Sequence, residues 1–340
     1  MNESGTNVLN LHPGLVVGFA VIVLLMMLLD LGVFNKKSHV ISSKEALGWS
    51  TLWISLAMLF SGAIYWLYNK DAGGHQVAVN KIAEFQAAYW VEQALSVDNL
   101  FVFILIFNFF KVPKHLQHKV LFWGIIGAIV FRAIFIFAGV GLIKLSYIQN
   151  SVGLLGNHEP FNIILIAFGL FLAVAGIRSW GKHKKEESQD FGNSFAVRII
   201  KKLFKVSDTY DGDKFFTFKN GKKMATPLLL VLAVIEFSDL LFAVDSIPAI
   251  FAISKDPFIL YTSNIFAILG LRSLYFLLAN FINMFSKLPY GLSIILTFIG
   301  VKMLIAPWIE ISSVLSLIVV GGLLILSVIL SLIFPEKKVP

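Results

Sequence analysis

Residues 226–253, TPLLLVLAVIEFSDLLFAVDSIPAIFAI, constrain this chain more than any other stretch. The run is long and apolar enough to cross a bilayer as a helix, yet it carries Glu236, Asp239 and Asp245. Three central, ionised acids would cost about 8–10 kcal/mol on insertion scales before any partner is counted. A cost of that size predicts a polar site inside a helix bundle. Glu236 and Asp239, three apart, share a helical face. Asp245 lies about 9 Å further along the axis and about 120° around it, so an unbroken helix would not aim both aspartates at one ion. Pro248 removes a hydrogen bond and disfavours helical dihedrals at Ile247. The sequence therefore predicts a break there, leaving carbonyl oxygen beside Asp245 and Ser246, as in the broken helices of transporters.

A related pattern sits earlier, in WVEQALSVDNLFVFILIF over 90–107. Glu92 and Asp98 are six apart, as Asp239 and Asp245 are, and Val97-Asp98-Asn99 aligns with Val244-Asp245-Ser246. Downstream, GAIVFRAIFIF (127–137) aligns with AILGLRSLYFL (267–277), setting Arg132 opposite Arg272, and GIR at 176–178 aligns with GVK at 300–302. Matches in one order predict a duplication of three spans.

The apolar fraction of 57% against 14% charged residues puts the 340-residue chain among polytopic membrane proteins. The expected fold is all-α, a bundle of about nine transmembrane helices. Two spans fall within 1–80, the first repeat within 81–180, and a basic loop within 181–225. The second repeat covers 226–306, and a last span with its tail covers 307–340. Asp30 closes the first span, either as an extra site carboxylate or at the interface. Of 28 Lys and Arg, 20 fall in loops on one side of this map and four on the other. The positive-inside rule then places the N-terminus outside and the C-terminus in the cytoplasm. In that topology the two repeats are inverted, an architecture that puts the site of a transporter at the repeat interface. The net charge of +8 is spread over these loops and signals no nucleic acid.

Within the basic loop, SFAVRIIKKLFKV (194–206) predicts an amphipathic helix with Phe195, Ile199, Leu203 and Val206 on one face and its cations largely on another. Such a helix suits an anionic lipid surface. Asn220-Gly221 between short flanks predicts a hairpin, and Asp208, Asp211 and Asp213 read as turn residues before a cation site.

The candidate metal ligands are Glu92, Asp98, Asn99, Glu236, Asp239, Asp245 and Ser246, with Arg132, Arg272 and Asp30 as supporting groups. Acids outnumber arginines, favouring a cation over an anion. Carboxylate, amide, hydroxyl and carbonyl oxygen suit Mg²⁺, Ca²⁺ or Mn²⁺. All seven histidines fall in loops or tails of this map and there is no cysteine, which argues against zinc, copper and thiolate chemistry. The acids of the two motifs are expected to converge near mid-membrane with the arginines at the edge, and a closed form would show acids paired. Structural ion pairs between helices are the competing reading. No tightly bound cofactor is expected, and homo-oligomerisation stays open.

EQALSVDNLFVF (92–103), EFSDLLFAVDSIPAIFAI (236–253) and DPFILYTSNIFAILGLRSLYFLL (256–278) resemble the TerC family of integral membrane proteins, and the resemblance runs over essentially the whole chain. The family includes proteins linked to tellurium resistance and Alx-like proteins associated with manganese efflux, and it is placed with LysE-like exporters. The resemblance implies a protein of the bacterial cytoplasmic membrane that moves Mn²⁺ outward. A scaffold or metal-loading factor, delivering cations to secreted proteins or conferring tellurium or metal resistance without transport, is the alternative. An intramembrane aspartyl protease would resemble a GxGD pattern, which does not occur here. The chain reads as no enzyme.

Overall fold

In a computed structural model of the chain, residues 13–34, 42–71, 74–148, 161–182, 191–219, 221–281, 287–309 and 311–334 are described. The side chains of Asp30 and Asp98, two of the expected site residues, lie outside the described residues. The helices are α1 (Pro13–Phe34), α2 (Ser43–Asp71), α3 (His75–Phe109), α4 (Lys114–Leu145), α5 (Ile163–Lys182) and α6 (Phe195–Leu203). They continue with α7 (Pro227–Phe251), α8 (Pro257–Leu269), α9 (Leu271–Phe281), α10 (Leu288–Ile305) and α11 (Ser313–Ile333). Two small antiparallel pairs join them, β1 (Tyr147–Ile148) with β2 (Phe161–Asn162), and β3 (Phe216–Lys219) with β4 (Lys222–Ala225). The protein is a polytopic helical membrane bundle.

Among the described residues, seven helices are long and apolar enough to cross a membrane, or eight if the bent pair α8–α9 is one span. The expected nine exceeds that count by α1, whose described side chains form only the shorter apolar segment Val17–Met27. The outer surface is apolar, with Leu59 72% and Ile177 65% exposed, as lipid-facing positions require. Inside, Phe19, Phe60, Phe85, Phe258 and Phe266 knit α1, α2, α3 and α8 together, their closest rings 4.8 Å apart.

The expected break at Pro248 is absent. α7 runs on through Pro248 to Phe251, and the proline sits in its last turn. There the lost amide removes one bond just before the helix ends, so the chain need not kink. The broken span is the next one: α8 and α9 meet at 40° across Gly270. Gly270 keeps helical dihedrals and stands beside Trp53 and Gln93, at a spacing where a Cβ would make only ordinary contact.

Each pair of helices that the expected duplication would make equivalent runs antiparallel and in contact. α3 meets α7 with Glu84 beside Ser254 and Glu92 beside Asp239, through Arg132. α4 meets α8–α9 with Phe137 beside Tyr261 and Gln117 beside Tyr275. α5 meets α10 with Gly169 against Gly300 and Met303 and Gly176 against Ser293 and Thr297. Backbones approach there because glycine and alanine leave room, the usual device of packed membrane helices.

The loop before α7 folds onto one end of the bundle. Lys119 donates to the Asp213 carbonyl at 2.6 Å and to its carboxylate at 2.8 Å, and Tyr210 donates to the Phe110 carbonyl at 2.8 Å. Lys119 holds the Asp213 carboxyl below the usual carboxylate range, so this tether persists at neutral pH and loosens only as pH falls through that lowered value. Asp211 accepts from Thr217 at 2.7 Å. Two of the three loop aspartates thus serve the turn and its anchor. Between β3 and β4, Gly221 holds a φ of +72°, the left-handed position a tight hairpin needs; Asn220 lies outside the described residues.

Candidate intramembrane acid–arginine site

The bundle is polar where α3, α4 and α7 cross. Glu92 lies on a face of α3 that is otherwise Ala88, Val91 and Leu95, all buried. Its carboxylate pairs with the Nη1 of Arg132 from α4, and the Nη2 of Arg132 reaches the Oδ1 of Asp239 from α7 at 3.2 Å. Arg132 and Glu92 are wholly buried and the Asp239 side chain is 7% exposed. One guanidinium therefore bridges two carboxylates on antiparallel helices, out of reach of water. The planar fork of arginine suits this better than a lysine ammonium would.

Other groups extend the site. Ser96, one turn after Glu92, donates to Glu92 Oε1 at 3.3 Å. Glu236 packs its carboxylate against the backbone of Gly127, where a Cβ would overlap it. A side chain at this position would displace the acid's carboxylate from its place. Arg272, buried, comes down from α9 to a cavity of about 20 Å³ that Asp239 also lines, closed by Leu100, Phe103, Ile125 and Ile235. That space holds about one water-sized body. Three acids, Glu92, Glu236 and Asp239, thus stand among two guanidinium groups.

Among the described residues, several buried polar atoms here have no hydrogen-bond partner: Glu92 Oε2, Arg132 Nε, Glu236 Oε2, Asn99 Nδ2, Gln93 Oε1 and Ser246 Oγ. Such atoms carry a desolvation cost of about 1–3 kcal/mol each. They concentrate around the two motifs, where a ligand or water would relieve them.

The placement expected from sequence needs correcting at two points. Arg132 stands between two of the acids, not at their edge, because it is long enough to reach both neighbouring helices from the α4 wall. Asp245 is half-buried, and on the unbroken α7 it keeps its offset of about 120° and 9 Å from Asp239; the two aspartates are not turned toward one point by a break. Among the described residues, no three Asp, Glu or His side chains converge as a metal-ligand set. The arrangement is one of paired acids.

Sequence reasoning misses Ser96, Gln93, Gly127 and Asn264 as members of this polar interior. Ser96 is visible as the i+4 neighbour of Glu92. Asn264, with both side-chain atoms buried and unpartnered, is visible in the polar run Thr262-Ser263-Asn264 within an apolar span. Gly127 has no such signal.

Residues 77–339 match the profile described as "Integral membrane protein TerC family". The chain is 44% identical, over 94% of its length and 92% of the relative's, to "Uncharacterized membrane protein STKORF319" of Myxococcus xanthus. It is 43% identical, over 97% of its length and 96% of the relative's, to "Putative membrane-bound redox modulator Alx" of Escherichia coli K12. The Alx protein of Photorhabdus laumondii is 43% identical over 92% of both chains. No solved structure matches.

Proposed function

We propose a divalent-cation transporter, and specifically an exporter of Mn²⁺, for a chain that belongs to the integral membrane protein TerC family. The observation that carries this reading is the buried Glu92–Arg132–Asp239 bridge, with Glu236 beside it, inside a helical membrane bundle. Ionisable groups at such depth mark ion pathways. Their carboxylate, amide and hydroxyl oxygens suit hard divalent cations. Arg132 holds the acids together when no cargo is bound, and a cation entering the site takes over its charge. Glu92, Asp98, Asn99, Glu236, Asp239, Asp245 and Ser246 are the proposed ligand groups, not all in one state, with Arg132, Arg272 and Asp30 in support.

The antiparallel packing of α3 with α7, α4 with α8–α9 and α5 with α10 supports an inverted repeat, and with it alternating access about the site. The scaffold or metal-loading alternative shares these acids but moves no ion. The redox modulation in the name of the relatives would work here through the ion moved, since this chain has no cysteine. The orientation comes from the basic loops: cytoplasmic membrane, N-terminus outside, C-terminus inside. A C-terminal tag labelled from outside intact cells would overturn it.

Flux decides the function. Purified protein in liposomes should move Mn²⁺ down a gradient, ahead of Mg²⁺, Ca²⁺ and Zn²⁺. No protein-dependent flux of any of the four would favour the scaffold. Lipid enters the same assay. α6 runs back along α7, from Phe195 tilted against Phe237, ring centroids 5.5 Å apart, to Lys205, whose carbonyl accepts the Ala225 amide. It buries Ala196 and Val197 against the protein and leaves Phe195, Ile199 and Leu203 40–65% exposed, so the row expected to be its apolar face points outward beside Lys201 and Lys202. We assign this row to the bilayer and its lysines to anionic headgroups. Vesicles containing phosphatidylglycerol should then support faster flux than purely zwitterionic ones, and replacing Lys201, Lys202 and Lys205 with glutamine should remove the difference. Equal rates in both vesicle types would refute it.

A further inference from the structure

A second, half-buried charge network closes the end of the bundle opposite α6. Tyr68, at the end of α2, donates to Asp256 Oδ2 at 2.7 Å. Lys81, near the start of α3, lies 3.5 Å from that same oxygen and donates to Glu84 Oε2 at 2.9 Å. Ser254, in the turn between α7 and α8, donates to Glu84 Oε2 at 2.6 Å and accepts the Asp256 amide at 3.1 Å. Asp256 also caps α8, its Oδ1 accepting the Phe258 amide at 3.0 Å. Five side chains from α2, α3 and the α7–α8 turn thus form one closed circuit, with Tyr68 2% exposed and the side chains of Lys81, Glu84 and Asp256 13–22% exposed.

Position gives the circuit its meaning. Glu84 and Glu92 are eight residues apart on α3, about 12 Å along the axis. Asp256 and Asn264 are eight apart on α8, and Ser254 and Ser246 eight apart on the α7 side, the same rise. At the depth of Glu92, behind the circuit, lie buried neutral groups with atoms that have no hydrogen-bond partner among the described residues: Gln93, Ser246 and Asn264. Between that depth and the circuit the same helices place the buried apolar side chains of Ala88, Ile247, Ile250 and Leu260. The polar groups of the α3–α7–α8 seam therefore fall in two levels, the central acids with their neutral neighbours and the circuit, and the circuit is the level nearer solvent. Its two carboxylates share one ammonium and two hydroxyl donors, so the closed circuit occupies the carboxylate oxygens that would otherwise draw a cation. Parting α3 from the α7–α8 turn would take Ser254 from Glu84 and Lys81 from Asp256, loosening both carboxylates at once.

We propose that Tyr68, Lys81, Glu84, Ser254 and Asp256 are the gate on this side of the pathway, the outer side by the distribution of basic loops. The gate rests on the transport reading for its purpose, but its test does not need transport. The chain has no cysteine, so Ser246→Cys supplies a single thiol in the layer behind the gate, and Asn264→Cys supplies a second, independent one. In right-side-out vesicles a membrane-impermeant thiol reagent should label either slowly. Adding Asp256→Asn or Lys81→Met should speed labelling by roughly tenfold or more, since each removes a hydrogen bond to a charged partner. Inside-out vesicles should show no such change. Tyr68→Phe, which removes one donor and keeps the ring, should give a smaller increase in the same direction. Labelling rates that ignore the circuit in both cysteine backgrounds would overturn the gate even where Mn²⁺ flux is found. Rates that respond while the parent chain, without the cysteine, carries no flux would uphold the gate as a seal and sink the transport reading instead.

Discussion

Arg132→Met should destabilise the folded bundle by about 3–5 kcal/mol, the usual cost of removing one partner from a buried ion pair. Methionine keeps the length and the apolar stem but leaves Glu92 and Asp239 buried without the cation that joins them. α3, α4 and α7 would lose their only charged tie among the described residues at this depth, so the loss should appear as a lower midpoint in thermal or detergent unfolding. The cycle with Glu92→Gln and Asp239→Asn sharpens the expectation. Each neutralisation removes part of the stranded charge, so the double and triple variants should recover stability relative to Arg132→Met, giving a coupling energy outside the roughly 0.3–0.5 kcal/mol of independent sites. A methionine variant as stable as the parent, or strictly additive cycles, would show that the bridge does not hold these helices.

The spans are legible in the sequence because the bilayer demands some twenty apolar residues for each crossing. Acids inside two of them mark the polar interior for the same reason. Three features escape such a reading. Pro248 reads as a break because proline interrupts a helix, but its effect depends on how much helix lies beyond it, and here the helix ends within one turn. The bend falls instead at Gly270, which keeps ordinary helical dihedrals, so neither a proline nor a special backbone conformation marks it in the sequence. Arg132 reads as a rim residue because a charge count balances signs without positions. Only the geometry shows one guanidinium serving two helices. The beginning of α3, from His75, is polar enough to read as loop, yet it carries Lys81 and Glu84 into the charge circuit at the end of the bundle.

Asp239→Asn separates transport from structure more cleanly than any other change. The bridge holds two carboxylates and one guanidinium, so neutralising Asp239 leaves a one-to-one pair of Arg132 with Glu92 and strands no cation. Asparagine keeps an oxygen where Oδ1 accepts from Arg132. A purely structural role therefore predicts a folded protein with stability close to the parent, since a balanced buried pair is no worse than an over-acidic triad. Transport predicts the same folded protein and a lost function. The excess negative charge that lets a divalent cation compete with Arg132 is gone, and apparent Mn²⁺ affinity should fall by roughly 10–100-fold, the scale seen when groups around a metal site are removed. Asp98→Asn and Asp245→Asn should likewise abolish flux while leaving protein in the membrane, if these acids receive the ion in other states of the cycle. The measurement is initial Mn²⁺ flux per folded molecule in liposomes, with folded protein counted by size-exclusion chromatography. Parental flux through folded Asp239→Asn would assign the acid to the scaffold alone. Flux near background at an unchanged unfolding midpoint would place the cation at the carboxylate that Arg132 holds when the site is empty of cargo.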